Sequence, residues 1–248
     1  SCWIFQTMTR VLILGGTAEG TKLAEAISAK AGFEAIYSLA GVTRSPKVPD
    51  CQVRTGGFGG INGLADFLRE ESIDKVIDAT HPYAARMAAH AAAACGLENI
   101  PRIKLMRPEW TPMPGDDWRI TNDAAEAAAL LQGLSDRVFL ATGRKDLAAF
   151  APLSKIWFLV RLVDAPPEDI PLANHQLVLG RGPFALEAEK EMFRHHQIGA
   201  VVSKNSGGGA YAKIEAARKL GLPVVMINRP QAPTGTIAES IDAVMAWL

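Results

Sequence analysis

The stretch Val11-Leu12-Ile13-Leu14-Gly15-Gly16-Thr17-Ala18-Glu19-Gly20 constrains the fold more than any other part of this chain. Four apolar residues bounded by glycine read as a strand of a parallel sheet, buried on both faces. Glycine at 15 and 16 permits a tight turn and a close backbone approach that a side chain would block. Beyond the turn, Leu23, Ala24 and Ile27 recur at helical spacing between Glu19 and Lys30. A strand, a glycine turn and a helix N-terminus together make an anion site, because unpaired amide N–H groups and the helix dipole point at whatever docks there, most often a phosphate. The match to a dinucleotide fingerprint is incomplete: Gly-x-Gly-x-x-Gly needs glycine at 17, where the chain has Thr17. Alone, the motif reads equally as a nucleotide site or as an ordinary strand-to-helix turn.

The second strand, Phe33 to Leu39, bears on which nucleotide would bind. In a Rossmann-like unit an acid at the end of this strand holds the ribose 2′-hydroxyl of NAD. This chain has no acid there; Ser38, Thr43 and Arg44 follow instead. Hydroxyls and an arginine suit a 2′-phosphate, which a carboxylate would repel, so NADPH/NADP+ is the expected cofactor. Gln52-Val53-Arg54 reads as a short third strand, followed by the loop Gly56-Gly57-Phe58-Gly59-Gly60, which by itself reads as a connector. A helix follows from Gly63 to Glu71. The fourth strand, Lys75 to Thr80, runs into His81-Pro82-Tyr83 and an alanine-rich helix from about Ala84 to Cys95. Thr80 reads as its N-cap, and Pro82 suits a first turn. His81 therefore stands at the carboxyl end of a strand, on the sheet edge where the first glycine turn also lies. Pro101 to Met106 is a fifth strand.

Pro112, Pro114 and Gly115 break the pattern and mark a linker, dividing the chain into 8–114 and 115–248. A second alternation of strands and helices follows: a helix at Asp123–Leu131, then strands at 137–144, 155–163, 176–179, 200–203 and 223–227, and a closing helix from Ile237 to Leu248. The expected architecture is α/β: two Rossmann-like lobes, each a mainly parallel sheet flanked by helices, with an interlobe cleft. The first lobe would bind NADP and the second would complete the substrate cleft.

Composition narrows the partners. In 248 residues, 26 Lys and Arg balance 26 Asp and Glu, so no global field draws in nucleic acid or an anionic membrane, and neither is an expected partner. No apolar run reaches the length of a membrane span. Cys2, Cys51 and Cys95 are odd in number and widely spaced, which suits a reducing cytoplasm and gives no zinc pattern; His195-His196 lacks a third ligand, so no metal is expected. Met8 directly precedes the first strand, and residues 1–7, which lack a signal-peptide pattern, read as an extension outside the fold. The oligomeric state is left open, a monomer included. Three functions fit this much: a reductase acting on a polyanionic molecule, another NADP-dependent reductase acting on a small one, and a non-catalytic nucleotide sensor. The basic and hydroxyl residues at the strand ends favour the first.

Seven blocks then point to one family. Leu14-Gly15-Gly16-Thr17-Ala18-Glu19-Gly20, Gly56-Gly57-Phe58-Gly59-Gly60, Asp78-Ala79-Thr80-His81-Pro82-Tyr83-Ala84, Arg107-Pro108-Glu109-Trp110, Thr142-Gly143-Arg144, Gly182-Pro183-Phe184 and Ser203-Lys204-Asn205-Ser206-Gly207-Gly208 occur in this order. With them the chain, from Val11 to about Arg229, resembles the precorrin-6A reductase family of cobalamin biosynthesis. The resemblance implies two Rossmann-like lobes, NADPH as hydride donor, and reduction of one carbon–carbon double bond of the precorrin-6A macrocycle to give precorrin-6B; a related branch acts on the cobalt-containing macrocycle. Read from the glycine turn, the second strand and the strand-four edge, the candidate cofactor site is Gly15, Gly16, Thr17, Glu19, Gly20, Ser38, Thr43, Arg44, Thr80 and His81. The chain departs from the family pattern at Ala40-Gly41-Val42-Thr43-Arg44, so which residue meets the 2′-phosphate stays open. The macrocycle carries acetate and propionate groups, for which Arg86, Lys104, Arg107, Arg144 and Lys204 are the candidate cations. Trp110, Gly143, Asn205, Ser206 and Gly207 complete the expected substrate site. His81, with Tyr83 behind it, is the candidate proton donor.

Overall fold

The computed structural model describes residues 8–41 and 49–248, arranged in two compact units. The first unit takes the described residues up to Arg107 together with Gln231–Leu248; the second is Pro108–Pro230.

In the first unit the chain runs β1 (Thr9–Leu14), α1 (Ala18–Ser28), β2 (Phe33–Leu39), β3 (Gln52–Thr55), α2 (Gly60–Glu70), β4 (Lys75–Asp78), α3 (Ala85–Glu98) and β5 (Arg102–Leu105). The continuous apolar run of β1 follows from its central place. Successive strand side chains point to opposite faces, so Val11 and Ile13 pack with Leu23 and Ile27 of α1, whereas Leu12 and Leu14 pack with Leu64 and Leu68 of α2 and Ala91 and Ala94 of α3. Each fully buried aliphatic side chain contributes about 1.5–3 kcal/mol. The alanines of α3 let it lie close against α2.

The second unit contains β6 (Trp118–Thr121), α4 (Ala124–Leu131), β7 (Arg137–Ala141), a 3-10 turn (Arg144–Phe150), β8 (Trp157–Leu162), β9 (His175–Leu179), α5 (Leu186–His195), β10 (Ala200–Lys204), α6 (Ala212–Leu220) and β11 (Val224–Ile227). The chain then returns to the first unit as β12 (Thr236–Ala238) and α7 (Ile241–Trp247).

Both sheets have six strands, in the orders β12-β5-β4-β1-β2-β3 and β6-β11-β10-β7-β8-β9. The pairings are parallel. Each order reverses once, between β1 and β4 in the first sheet and between β7 and β10 in the second. Such a reversal opens a crevice beyond the carboxyl ends of its two strands, where ligands bind in open α/β sheets. The α/β class with two parallel, helix-flanked sheets is as expected from the sequence.

Three expectations are corrected. The division at 114/115 gives way to a crossing at Arg107 and a return at Gln231, because β12 pairs with β5 and closes its otherwise open edge. The closing helix does not begin at Ile237: Ile237 and Ala238 lie in β12, and Ser240 caps α7 by accepting the Ala243 N–H at 3.2 Å. Thr80 is not the cap of α3, which starts five residues later at Ala85; Thr80 instead donates to Asp78. No helix among the described residues is long and apolar enough to cross a membrane.

Candidate active site

The glycine turn after β1 is held from below by β2. The Gly15 N–H donates to the Ser38 carbonyl at 2.8 Å, and the Gly16 N–H to the Tyr37 hydroxyl at 3.1 Å. Tyr37 is buried, and its hydroxyl also meets Thr21 Oγ1 at 3.3 Å. A Cβ at Gly15 would run into the Tyr37 ring, so only glycine fits there. Gly16 has φ +113° and open space where a Cβ would project, leaving its backbone accessible to a ligand. Thr17 explains its own departure from the fingerprint. Its hydroxyl accepts the Gly20 N–H at 3.1 Å, capping α1, and donates to the Ala79 carbonyl at 2.8 Å, tying α1 to the end of β4. Gly20 packs against Thr17 and Ala79, with no room to spare for a larger residue. The Thr17 and Ala18 N–H groups, in the first turn of α1, have no acceptor among the described residues. This donor set fits a pyrophosphate.

Beside the turn lies a pocket lined by Thr17 and Glu19, by Thr80 beyond β4, by Arg107 beyond β5 and by Glu239 and Ser240 beyond β12. Glu19 accepts from Arg107 Nη1 at 2.7 Å. Burial works to raise the Glu19 carboxyl, but the hydrogen bond from Arg107, a hydrogen bond from its own backbone and the nearby positive charges outweigh it, and the group is held below its usual range. A depressed folded value adds stability above the unfolded value, 4.5 here, and that stability is lost as pH falls through the folded value. A Glu19→Gln variant is therefore expected to melt below the native protein at neutral pH and to converge with it in acid. Thermal unfolding across the acid range checks this; a gap between the two proteins that stayed the same size at every pH, with no narrowing below the unfolded carboxyl value, would count against the pairing.

Beneath the pocket sits a buried ion pair. Lys104 Nζ donates to Asp78 Oδ2 at 2.9 Å, with side-chain exposures of 2% and 0%. Asp78 Oδ1 accepts the Thr80 hydroxyl at 2.6 Å and the Thr80 N–H at 3.1 Å. Lys104 is thus corrected from a substrate-facing cation to an internal one, because β12 and β4 flank its strand and the register sets it beside Asp78. The neighbouring His81 is half-buried and accepts the Tyr83 N–H at Nδ1, 3.3 Å away, which assigns the proton of the neutral ring to Nε2. Arg86 is exposed in the first turn of α3. At the end of β2, Ser38 is buried and accepts from Arg54 Nη1 at 2.9 Å. Thr43 and Arg44 lie outside the described residues.

In the second unit the expected residues gather at the β7/β10 reversal. Gly143 and Arg144 follow β7 and are exposed; Lys204, at the end of β10, pairs with Asp146 at 2.7 Å. The Asn205 side chain bridges the Trp110 backbone, accepting its N–H at 2.8 Å and donating to its carbonyl at 2.9 Å. The Trp110 indole donates to the Gly208 carbonyl at 3.1 Å. Asn205 and Trp110 therefore lock the segment after Arg107 onto the β10 loop, in which Ser206 is half-buried and Gly207 buried, between Asn205 and Gly208 in sequence. Among the described residues no group of three potential metal ligands occurs. Tyr37, Asp78, Arg54 and the Glu239-Ser240 pair were not expected at the site. Only Asp78 carried a signal, an acid closing an apolar strand with a lysine in the next.

A family model described as precorrin-6x reductase CbiJ/CobK matches residues 10–248. This chain belongs to that family. The precorrin-6A reductase of Rhodococcus erythropolis is 48% identical over 246 residues, covering 97% of this chain and 98% of that protein. The precorrin-6A reductase of Rhodobacter capsulatus is 45% identical over 242 residues, 97% and 96% of the two chains. A solved structure described as CobK precorrin-6A reductase superposes with a TM-score of 0.91 at 44% identity, covering 97% of this chain and 96% of that one. The precorrin-6x reductase match spans both units, from β1 to the returning β12 and α7, so the discontinuous first unit lies within the region shared with the family.

Proposed function

We propose that this chain catalyses the NADPH-dependent reduction of one carbon–carbon double bond of precorrin-6A, giving precorrin-6B in cobalamin biosynthesis. The family match over nearly the whole chain carries this reading. NADPH is supported by the glycine turn with its unpaired first-turn amides and by the lack of an acid at the end of β2, where Ser38 stands. When bound, the cofactor supplies the hydride, and a proton completes the addition.

The protein's part is to bind, orient and deliver that proton. Gly15, Gly16 and Thr17, with Gly20 packed behind them, seat the pyrophosphate; Glu19 holds Arg107 at the pocket rim, and Thr80 borders the pocket just beyond β4, one residue before His81. Arg86 and Arg144 are exposed and have no carboxylate partner among the described residues, so they meet macrocycle carboxylates without first giving up an ion pair. Arg107 and Lys204 each already face a carboxylate, for which a macrocycle acid competes. His81 is the candidate donor in its imidazolium form, because a neutral ring is too weak an acid to give up its Nε2 proton; taking up the second proton at Nδ1 releases the Tyr83 N–H that the neutral ring accepts.

Purified protein mixed with NADPH and precorrin-6A is expected to consume NADPH and shift the pigment spectrum. No consumption, with the substrate shown to be intact, rejects the reading; the cobalt-containing macrocycle offered in parallel separates the two substrate branches. In the same assay His81→Ala should lower turnover about 100-fold, the lower end of general acid catalysis, with little change in cofactor affinity. Unchanged turnover removes His81 from the chemistry.

A further inference from the structure

We infer that Arg54 is the residue that selects NADPH over NADH, its guanidinium receiving the 2′-phosphate beside Ser38. The inference rests on the NADPH reading above. In this fold the residue ending β2 lies at the ribose that carries the 2′ substituent. Here that region is served from the next strand: Arg54 in β3 is in register with Ser38. Its Nη1 donates to Ser38 Oγ at 2.9 Å and to the Gly56 carbonyl at 2.9 Å, and its Nη2 to the Gly57 carbonyl at 3.1 Å. The guanidinium carbon lies 3.8 Å from the centroid of the Phe58 ring.

These contacts fix the guanidinium without neutralising it. All three acceptors are uncharged, and no carboxylate pairs with Arg54 among the described residues. Burial opposes its charge and pushes its pKa down, and no neighbouring acid offsets this. A half-buried cation braced by two carbonyls, a hydroxyl and an aromatic face is oriented for a negative group that none of the described residues supplies. The Nε–H and one Nη2–H have no acceptor among the described residues. They sit on adjacent nitrogens, the spacing that takes two phosphate oxygens at once. The glycine-rich loop gains a role here. Gly56 has φ +109°, a backbone that favours glycine, and this turn folds the carbonyls of Gly56 and Gly57 back onto the guanidinium. Phe58 packs against Phe67 of α2 edge-on, with ring centroids 5.2 Å apart, which anchors the stacking face.

The test is equilibrium binding of NADPH and NADH, with 2′,5′-ADP and 5′-AMP as nicotinamide-free probes. It compares the full-length protein with Arg54→Met, which keeps the aliphatic stem on Phe58, and Arg54→Lys, which keeps the charge and loses the fork. The native protein should prefer NADPH and 2′,5′-ADP. Arg54→Met should weaken both by about 10-fold or more, equivalent to about 1.4 kcal/mol, while NADH and 5′-AMP change little; Arg54→Lys should fall between. Equal losses for phosphorylated and unphosphorylated ligands, or a preference unchanged in Arg54→Met, overturn the assignment and leave Arg54 as a brace of the loop while the NADPH reading stands. A native protein that binds NADH as tightly as NADPH overturns both.

Discussion

Replacing Lys104 with methionine is expected to destabilise the first unit by about 3–5 kcal/mol, the usual cost of removing one partner from a buried ion pair. The stem volume is kept, so the loss does not come from a cavity. It comes from Asp78, which is fully buried and would keep only its hydrogen bonds from Thr80. The double variant Asp78→Leu/Lys104→Met should regain most of that stability, because well-packed apolar residues replace buried ion pairs at little net cost. It should not regain turnover. Without the Asp78 carboxylate, Thr80 loses the acceptor that fixes its hydroxyl and N–H, and the His81 turn loses its anchor. Urea unfolding together with steady-state kinetics checks both halves. A single variant within about 1 kcal/mol of the native protein, the range of an exposed pair, would show that the pair does not organise the site.

Lys104 also shows where sequence legibility stops. A lysine between Ile103 and Leu105 reads as the solvent-facing position of a half-exposed strand. Only the sheet order reveals a neighbour on each side, and one of them, β12, is three residues long and separated from β5 by the whole second unit. A strand that short leaves no periodicity to read. The four residues of β6 were missed for the same reason; two of them, Arg119 and Ile120, are exposed on an edge strand. Elements buried on both faces were plain, because β1, β2 and β10 each need a continuous run of residues that can be buried. Likewise the turn at Gly15 and Gly16 announced itself by composition. Arg54 did not: its importance lies in the pairing of two strands, and nothing local marks an arginine that has no acid across from it. Motifs that act through backbone conformation are legible in one dimension, whereas partners that meet across a sheet are not.

Substituting Gly15 with alanine is expected to abolish tight NADPH binding as well as to lower stability. The added methyl would overlap the Tyr37 ring, and that ring has little freedom to move. It is 1% exposed, packs in the core shared by α1 and α7, and its hydroxyl holds the Gly16 N–H and Thr21. Either the turn lifts or the tyrosine shifts, and both separate the glycine turn from its support. Overpacking of this kind costs about 1–3 kcal/mol. Displacement of the amides proposed to face the pyrophosphate should weaken NADPH by about 10-fold or more, 1.4 kcal/mol per decade, and NADH equally, since both carry the same pyrophosphate. Gly96 supplies the control. It is exposed within α3, with nothing near the site of a Cβ, so alanine there should stabilise by about 0.5–1 kcal/mol through helix propensity and leave binding untouched. Melting curves and cofactor titration of the two variants separate the outcomes. If Gly15→Ala bound NADPH normally, the turn at the end of β1 would not be where the pyrophosphate sits, and the ligand would have to be sought at another strand end.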